Sequence, residues 1–174
     1  MNKKIFSKNC NLSTYTTIKV GGVAEYFAEP RSIKEFSYLI KWANLNKQRC
    51  QIIGAGSNLL INNIFIKGLV ICTKKMKSLK IDKYSGIVEA EAGVMLPALS
   101  NSLAKNRLQG GEWAVGIPGT LGGAIYMNAG TGNLSLAKNL ISVKVINNKT
   151  HEQLEIKKKI SILSIDLVLF KVMI

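Results

Sequence analysis

Two glycine-rich turns carry the residues of this chain that could bind a ligand. The first runs from Gly54 to Leu60 and reads Gly-Ala-Gly-Ser-Asn-Leu-Leu, directly after a short apolar run. Its two glycines permit positive φ and carry no Cβ, so a phosphate group can approach the backbone N–H groups, and Ser57 and Asn58 add side-chain donors. The sequence therefore predicts a strand that ends in a phosphate-binding turn.

The second turn runs from Gly116 to Ala124 and reads Gly-Ile-Pro-Gly-Thr-Leu-Gly-Gly-Ala. Pro118 fixes one φ while the four glycines free their neighbours, so the segment can lie flat against a planar ligand, and Thr120 adds a hydroxyl. One such loop is more often a tight connection than a ligand site. Two loops rich in donors favour a phosphate-containing cofactor, and we expect them to fold together around it.

Neither turn matches a dinucleotide or nucleotide motif by itself. Leu59 stands where the third glycine of the G-x-G-x-x-G fingerprint would be, and the sequence contains no G-x-x-x-x-G-K-[ST] loop. The cofactor assignment therefore depends on the two turns taken together.

The elements before the first turn predict a β-α-β lobe over residues 1–75. A strand over 23–29 is followed by a capping box, Ser32 with Glu35, and by apolar residues at helical spacing to about Leu45. Strands over 51–53 and 69–73 complete the lobe, with Gly68 as the turn before the last strand.

A second lobe is predicted over residues 76–156. Two short strands lie within 79–92 around the turn at Ser85-Gly86, a helix covers about 97–107, and strands over 140–146 and 153–156 are joined by Asn147-Asn148. Residues 157–174 form a separate tail.

The formal charge of +14 attracts anions, but it does not by itself indicate a nucleic-acid partner. The lysines are spread along the chain, which favours a solvated surface. A nucleic-acid module would show arginines interleaved with aromatic residues, and Arg31, Arg49 and Arg107 are the only arginines. We therefore expect no nucleic-acid partner.

The sequence predicts a cytoplasmic protein with no membrane partner and no metal site. Hydrophobic residues make up 47% of the chain, yet the most apolar stretch, 160–174, is broken by serine, aspartate and lysine, and no secretory leader is visible at the amino terminus. Cys10, Cys50 and Cys72 are odd in number and share no C-x-x-C spacing. This pattern predicts buried thiols rather than disulfides or zinc ligands.

Three blocks in this order resemble the UDP-N-acetylenolpyruvoylglucosamine reductase family: Thr16 to Gly22, Gly54 to Leu60, and Gly116 to Gly130. The resemblance covers about residues 10–150 and is specific as a set. It implies an α+β, two-lobed FAD-binding fold of the vanillyl-alcohol-oxidase (PCMH) type, with FAD between the lobes. It also implies peptidoglycan-precursor synthesis: NADPH reduces FAD, the flavin passes hydride to the enolpyruvyl double bond of UDP-N-acetylglucosamine enolpyruvate, and a serine protonates the neighbouring carbon.

Matching the motifs residue by residue gives the FAD site that the resemblance implies. The first turn would hold the pyrophosphate, and the second would line the flavin and its phosphates. The implied cofactor-binding residues are Gly54, Ala55, Gly56, Ser57, Asn58, Leu59, Leu60, Gly116, Ile117, Pro118, Gly119, Thr120, Gly122, Gly123, Ala124, Asn128 and Ala129.

The chain departs from the family in its last third. The family places a Tyr-Arg-x-Ser motif after the strands near 145–156 and then a substrate domain with the proton-donating serine and a late glutamate. No arginine follows Arg107 here, so Ser161 and Ser164 receive no catalytic role. We predict no catalytic residue and no turnover by residues 1–174 alone.

Three alternatives stay open at this point. The chain could be another FAD-dependent oxidoreductase of the same fold with a covalently attached flavin, although His151 lies outside both turns and is expected on the surface. It could also be a non-catalytic module that binds flavin or nucleic acid. For the tail, one hypothesis is a shifted reading frame from Ile160, and the other is a genuine carboxy-terminal strand or helix.

Overall fold

A computed structural model describes residues 5–62, 64–157 and 167–173. The first part of the chain contains β1 (Ser7–Asn11), β2 (Val23–Ala28), α1 (Ile33–Leu45), β3 (Cys50–Ile53) and β4 (Phe65–Cys72). The remaining elements are β5 (Leu79–Ile81), β6 (Val88–Glu91), α2 (Leu96–Lys105), α3 (Leu121–Tyr126), β7 (Gly130–Thr131), β8 (Leu134–Ser135), α4 (Leu136–Asn139), β9 (Ser142–Asn147), β10 (Gln153–Lys157) and β11 (Leu167–Met173). Short 3₁₀ turns cover Leu12–Tyr15, Thr73–Lys75 and Glu112–Gly116. Within the described ranges, no helix combines the length and the apolar character needed to cross a membrane.

The first sheet has the strand order β1-β2-β4-β3. Strands β2, β4 and β3 are parallel and β1 pairs antiparallel to β2 at one edge, so the predicted β-α-β unit is confirmed. Helix α1 begins at the predicted capping box, where Glu35 N–H donates to Ser32 Oγ at 3.2 Å. The Glu35 carboxylate in turn accepts from Arg31 N–H at 2.8 Å, which satisfies a second free donor at this end of the helix.

Gly68 does not form a turn before the last strand of this sheet, so that prediction is wrong. Gly68 lies inside β4 with φ +96°, and its N–H donates to Glu25 Oε2 at 2.8 Å. The register between β2 and β4 shifts at this level, between Ala24 and Tyr26. The glycine therefore serves a β-bulge, which needs a residue that tolerates positive φ.

The second sheet has the strand order β10-β9-β11-β6-β5. The two predicted hairpins, β5–β6 and β9–β10, are confirmed as antiparallel pairs. Strand β11 lies between them and pairs antiparallel with both β9 and β6. Residues 167–173 thus form a strand, as one of the two tail interpretations expected, while 158–166 and 174 lie outside the described residues. The shifted-frame hypothesis stays a prediction that the coding DNA can test.

The two sheets share part of their core. Phe36, Leu39 and Ile40 of α1 are buried in one cluster with Ile146 of β9. The side-chain amide of Asn44, also on α1, donates to the carbonyl of Asn148 at the β9–β10 turn. The predicted division into lobes near residue 75 stays a prediction.

The β9–β10 turn also places the single histidine differently from the sequence prediction. His151 is half-buried rather than on the surface, and its Nε2 lies 2.8 Å from Asn44 Nδ2. Helix α1 occupies the space that solvent would otherwise fill on this side of the turn.

Candidate functional site

The two glycine turns meet, although they are far apart in the sequence. The Ser57 hydroxyl donates to the carbonyl of Pro118 at 3.0 Å, across a separation of 61 residues. A Cβ built on Gly119 would lie 3.1 Å from Ser57 Oγ, and a Cβ on Gly54 would collide with Thr120 Oγ1. The absence of side chains at these glycines is therefore what lets the turns approach each other.

Gly56 is held from the other side by the loop that follows the first 3₁₀ turn. Thr17 N–H donates to the Gly56 carbonyl at 3.2 Å, and a Cβ on Gly56 would collide with the Tyr15 carbonyl. The loop is itself closed by the Thr16 hydroxyl, which donates to the Val20 carbonyl at 2.8 Å. In the sequence, the block from Thr16 to Gly22 contributed only to the family resemblance, since nothing in it indicated which glycine turn it would contact.

The end of β4 supports the first turn from behind. Thr73 Oγ1 donates to the Ile53 carbonyl at 3.3 Å, and Cys72 Sγ donates to the Gly54 carbonyl at 3.4 Å. Burial raises the pKa of the Cys72 thiol, which keeps its proton available for this bond. Sequence reasoning missed both residues, because the contact depends on the pairing register of two parallel strands.

The second turn is only partly the flat segment that the sequence predicted. Its second half is helix α3, with Thr120 as N-cap and Gly123 N–H donating to Thr120 Oγ1 at 3.4 Å. The N–H groups of Leu121 and Gly122 are bonded to the carbonyls of Val94 and Ala92, each at 2.8 Å. Before the helix, Gly116 belongs to the 3₁₀ turn, Ile117 N–H donates to the Ala114 carbonyl at 3.3 Å and Pro118 has no N–H, so Gly119 and Thr120 present the free backbone donors of this segment.

Several predicted site residues have packing roles. The Thr120 side chain and Ala124 are buried, and a Cβ on Gly122 would press on Ala92. Asn128 has φ +46° and ends α3, where the N–H of Ala129 donates to the carbonyl of Ala124 at 2.8 Å. This is the bonding pattern of a helix C-cap.

The remaining predicted residues form the rim of the two turns, outside the packing contacts described above. Within the described ranges, no bond to a protein group is donated by the backbone N–H groups of Gly54, Ala55, Ser57, Gly119 and Thr120. A Cβ on Gly116 would meet nothing within 4 Å, so protein packing does not explain that glycine. The rim residues, which are exposed or half-exposed, are Ala55, Asn58, Leu59, Leu60, Ile117, Pro118 and Gly123.

The donor set suits an anionic dinucleotide. Unbonded backbone N–H groups beside glycines form concavities that accept phosphate oxygens. Lys74, Lys75 and Glu29 all lie close enough to Cys72 to act electrostatically on its thiol, and Lys75 Nζ pairs with Glu29 Oε2 at 2.6 Å, so the charge behind the first turn is mixed. Two recesses of about 340 and 310 Å³ lie elsewhere, against Val20 and against Tyr15, and no glycine of either turn lines them.

Comparison with known proteins agrees with this geometry. Residues 24–155 match the family model described as FAD binding domain, which includes both turns. The chain belongs to the FAD binding domain family. FAD is therefore the cofactor that this fold is associated with, and the glycine turns with their free N–H groups fit a dinucleotide of that kind.

The resemblance to the reductases is also confirmed. The chain is 68% identical over 154 residues to UDP-N-acetylenolpyruvoylglucosamine reductase of Prochlorococcus marinus subsp. pastoris (strain CCMP1986 / NIES-2087 / MED4), covering 88% of this chain and 52% of that relative. It is 47% identical over 159 residues to the protein of the same name from Prochlorococcus marinus (strain NATL2A), covering 91% and 54%. The chain thus spans about half the length of the curated relatives it matches.

Solved structures confirm the predicted α+β FAD-binding fold. The UDP-N-acetylenolpyruvylglucosamine reductase of Thermus caldophilus superposes with a TM-score of 0.77 at 26% identity, covering 94% of this chain and 59% of that one. An alkyldihydroxyacetonephosphate synthase superposes with a TM-score of 0.69 at 18% identity, covering 89% and 31%, and shows the fold alone.

Proposed function

We propose that the groove between residues 54–60 and 116–120 holds the diphosphate of FAD. The observation that carries this proposal is the bond from Ser57 to Pro118, which closes the two turns into one donor-lined groove. Ser57, Gly119 and Thr120 offer backbone N–H groups, and Asn58 offers a side-chain amide. The exposed Gly123 and Asn128 extend the same rim toward the flavin end.

We further propose that the chain is the FAD-binding part of an NADPH-dependent UDP-N-acetylenolpyruvoylglucosamine reductase, working in the cytoplasm in peptidoglycan-precursor synthesis. The relatives of that name support this activity, and UDP-N-acetylglucosamine enolpyruvate would be the substrate. FAD, when bound, supplies the hydride chemistry. The residues of this chain hold it, orient it and exclude water from one side. Nothing in residues 1–157 is assigned to binding the substrate carboxylate or to donating the proton.

The purified 174-residue chain is expected to bind FAD without a covalent bond. Titration with FAD, followed by flavin fluorescence and by the absorbance bands of oxidised flavin, measures the dissociation constant. Ser57→Ala removes the bond that closes the groove and should weaken binding about tenfold, the value of one hydrogen bond of about 1.4 kcal/mol. Ser102→Ala on the exposed side of α2 is the matched control and should bind as the parent does. A parent protein that shows no flavin absorbance as purified and does not bind added FAD would overturn the proposed function.

The same chain is expected to give no substrate-dependent turnover. The reaction needs a cation for the substrate carboxylate and a proton donor at the reacting carbon, and no arginine follows Arg107 in this sequence. The assay is NADPH oxidation in the presence of FAD, with and without UDP-N-acetylglucosamine enolpyruvate. Robust substrate-dependent oxidation would show that another residue of this chain performs those roles.

A further inference from the structure

Two neighbouring side chains, one at the end of β4 and one at the start of the crossover to the second sheet, bind two consecutive carbonyls at the exit of β3. Thr73 is only 3% exposed, and its hydroxyl donates to Ile53 O; Cys72 is fully buried, and its thiol donates to Gly54 O. Neither side chain reaches the groove itself. Both act on the backbone that leads into the first glycine turn.

Because the peptide group is planar, each of these bonds fixes the direction of the N–H group that follows the bonded carbonyl. A carbonyl and the N–H of the following residue share one rigid plane and point in opposite directions. The bond to Ile53 O therefore fixes the plane that carries Gly54 N–H, and the bond to Gly54 O fixes the plane that carries Ala55 N–H. Ile53 is the last residue of β3 that pairs with β4, opposite Cys72, and Gly54 after it has no Cβ to restrict its dihedral angles, so the two side-chain bonds act where the ladder ends. Cys72 lies on the β4 side, so Ala55 N–H points away from β4.

The donor segment is itself held in place by the second sheet. Met76 N–H donates to the Thr73 carbonyl at 2.8 Å, and Gly93 N–H donates to the Met76 carbonyl at 2.8 Å. Gly93 also lacks space for a Cβ, which would meet the Thr73 carbonyl. The residue before it, Ala92, accepts from Gly122 N–H of α3 at 2.8 Å. One junction therefore supports the backbone of both glycine turns.

We propose that Thr73, assisted by Cys72, is a positioning residue that aims the N–H groups of the first glycine turn at the cofactor diphosphate. This inference rests on the proposed FAD site. Thr73 is buried behind the turn, so its role is indirect. It acts through the Ile53–Gly54 peptide plane and thereby sets the affinity of the turn for a phosphate-bearing ligand.

The test compares Thr73→Val, which keeps the side-chain shape and removes the hydroxyl, with Thr73→Ser, which keeps the hydroxyl. For Thr73→Val we expect FAD binding about tenfold weaker than for the parent, and for Thr73→Ser within about threefold, from the value of one buried hydrogen bond. Amide hydrogen exchange of the ligand-free proteins supplies a second readout. Exchange at 54–58 should become faster in Thr73→Val, while exchange in α2 stays as in the parent.

The outcomes separate this inference from the proposed function. If the parent does not bind FAD, the proposed function fails and the inference fails with it. If the parent binds FAD and Thr73→Val binds equally tightly, the inference alone is overturned. If Thr73→Val loses protection throughout α2, the pair Cys72→Ala and Cys72→Ser decides: weaker binding by the alanine variant with recovery by the serine variant supports the inference, and equal binding by both overturns it.

Discussion

Replacing Gly56 by alanine is expected to abolish FAD binding and to lower the free energy of unfolding by about 3 kcal/mol, through backbone strain and overpacking together. Gly56 has φ +68°, a conformation that costs a side chain energy, and its Cβ would collide with the carbonyl of Tyr15. Relief requires the loop to move, which would break the bond from Thr17 N–H to Gly56 O. The first turn would then lose its contact with the loop of Tyr15 and Thr17, which holds it against the second turn.

Gly86→Ala is the matched control for this prediction. Gly86 has nearly the same φ, +71°, but its Cβ would meet only Leu108 Cδ2, at 3.9 Å. Gly86→Ala should lower the free energy of unfolding only by the strain of the left-handed conformation, about 1 kcal/mol. Urea unfolding measures both variants, and FAD titration should show full binding by Gly86→Ala. Equal destabilisation by the two substitutions would mean that the Tyr15 carbonyl moves away from the added Cβ at little cost. The loop would then not hold the first turn in place.

The parts of the fold that the sequence predicts well are those set by local chemistry. Ser32 and Glu35 mark the start of α1 because a capping box acts within four residues. The hairpin turn at Gly86 and the alternation of Val88 and Ala90 predict β5 and β6 for the same reason. Each of these signals depends only on neighbours in the chain.

The features that sequence reasoning missed depend on distant partners. Gly68 looks like a turn residue, and only the pairing of β4 with β2 shows that it serves a bulge. Helix α3 contains two glycines, which weaken a helix signal, and it is fixed by bonds to Val94 and Ala92 from another element. For residues 167–173 the sequence left a strand and a helix both open, and pairing with β9 and β6 decides for the strand.

The glycines of the candidate site show the same division. Sequence alone treats all of them as places where a ligand can approach. The structure separates Gly54, Gly56 and Gly122, which are required by protein packing, from Gly116, which is not. A ligand argument is strongest at glycines of the second kind, because packing offers no other reason for them.

Interrupting β11 is expected to have an effect as large as that of Gly56→Ala. Residues 171–173 pair with β9 on one side and with β6 on the other, so every N–H of this stretch points into one ladder or the other. Val172→Pro removes one of these donors and leaves a carbonyl without its partner. We expect a loss of about 3 kcal/mol or more, which is a large part of the roughly 5–15 kcal/mol that holds a typical domain together.

Val172→Ala is the control for the same position, because alanine keeps the N–H and both variants lose the valine side chain. Circular dichroism and urea unfolding should show a cooperative transition for Val172→Ala, and an earlier or non-cooperative one for Val172→Pro. FAD binding should fall in the proline variant as well, since β6 leads directly into Ala92 and Gly93, the residues that support both glycine turns. A proline variant that unfolds like the parent would mean that β11 does not join β9 to β6 in solution, and the sheet would then consist of two separate hairpins.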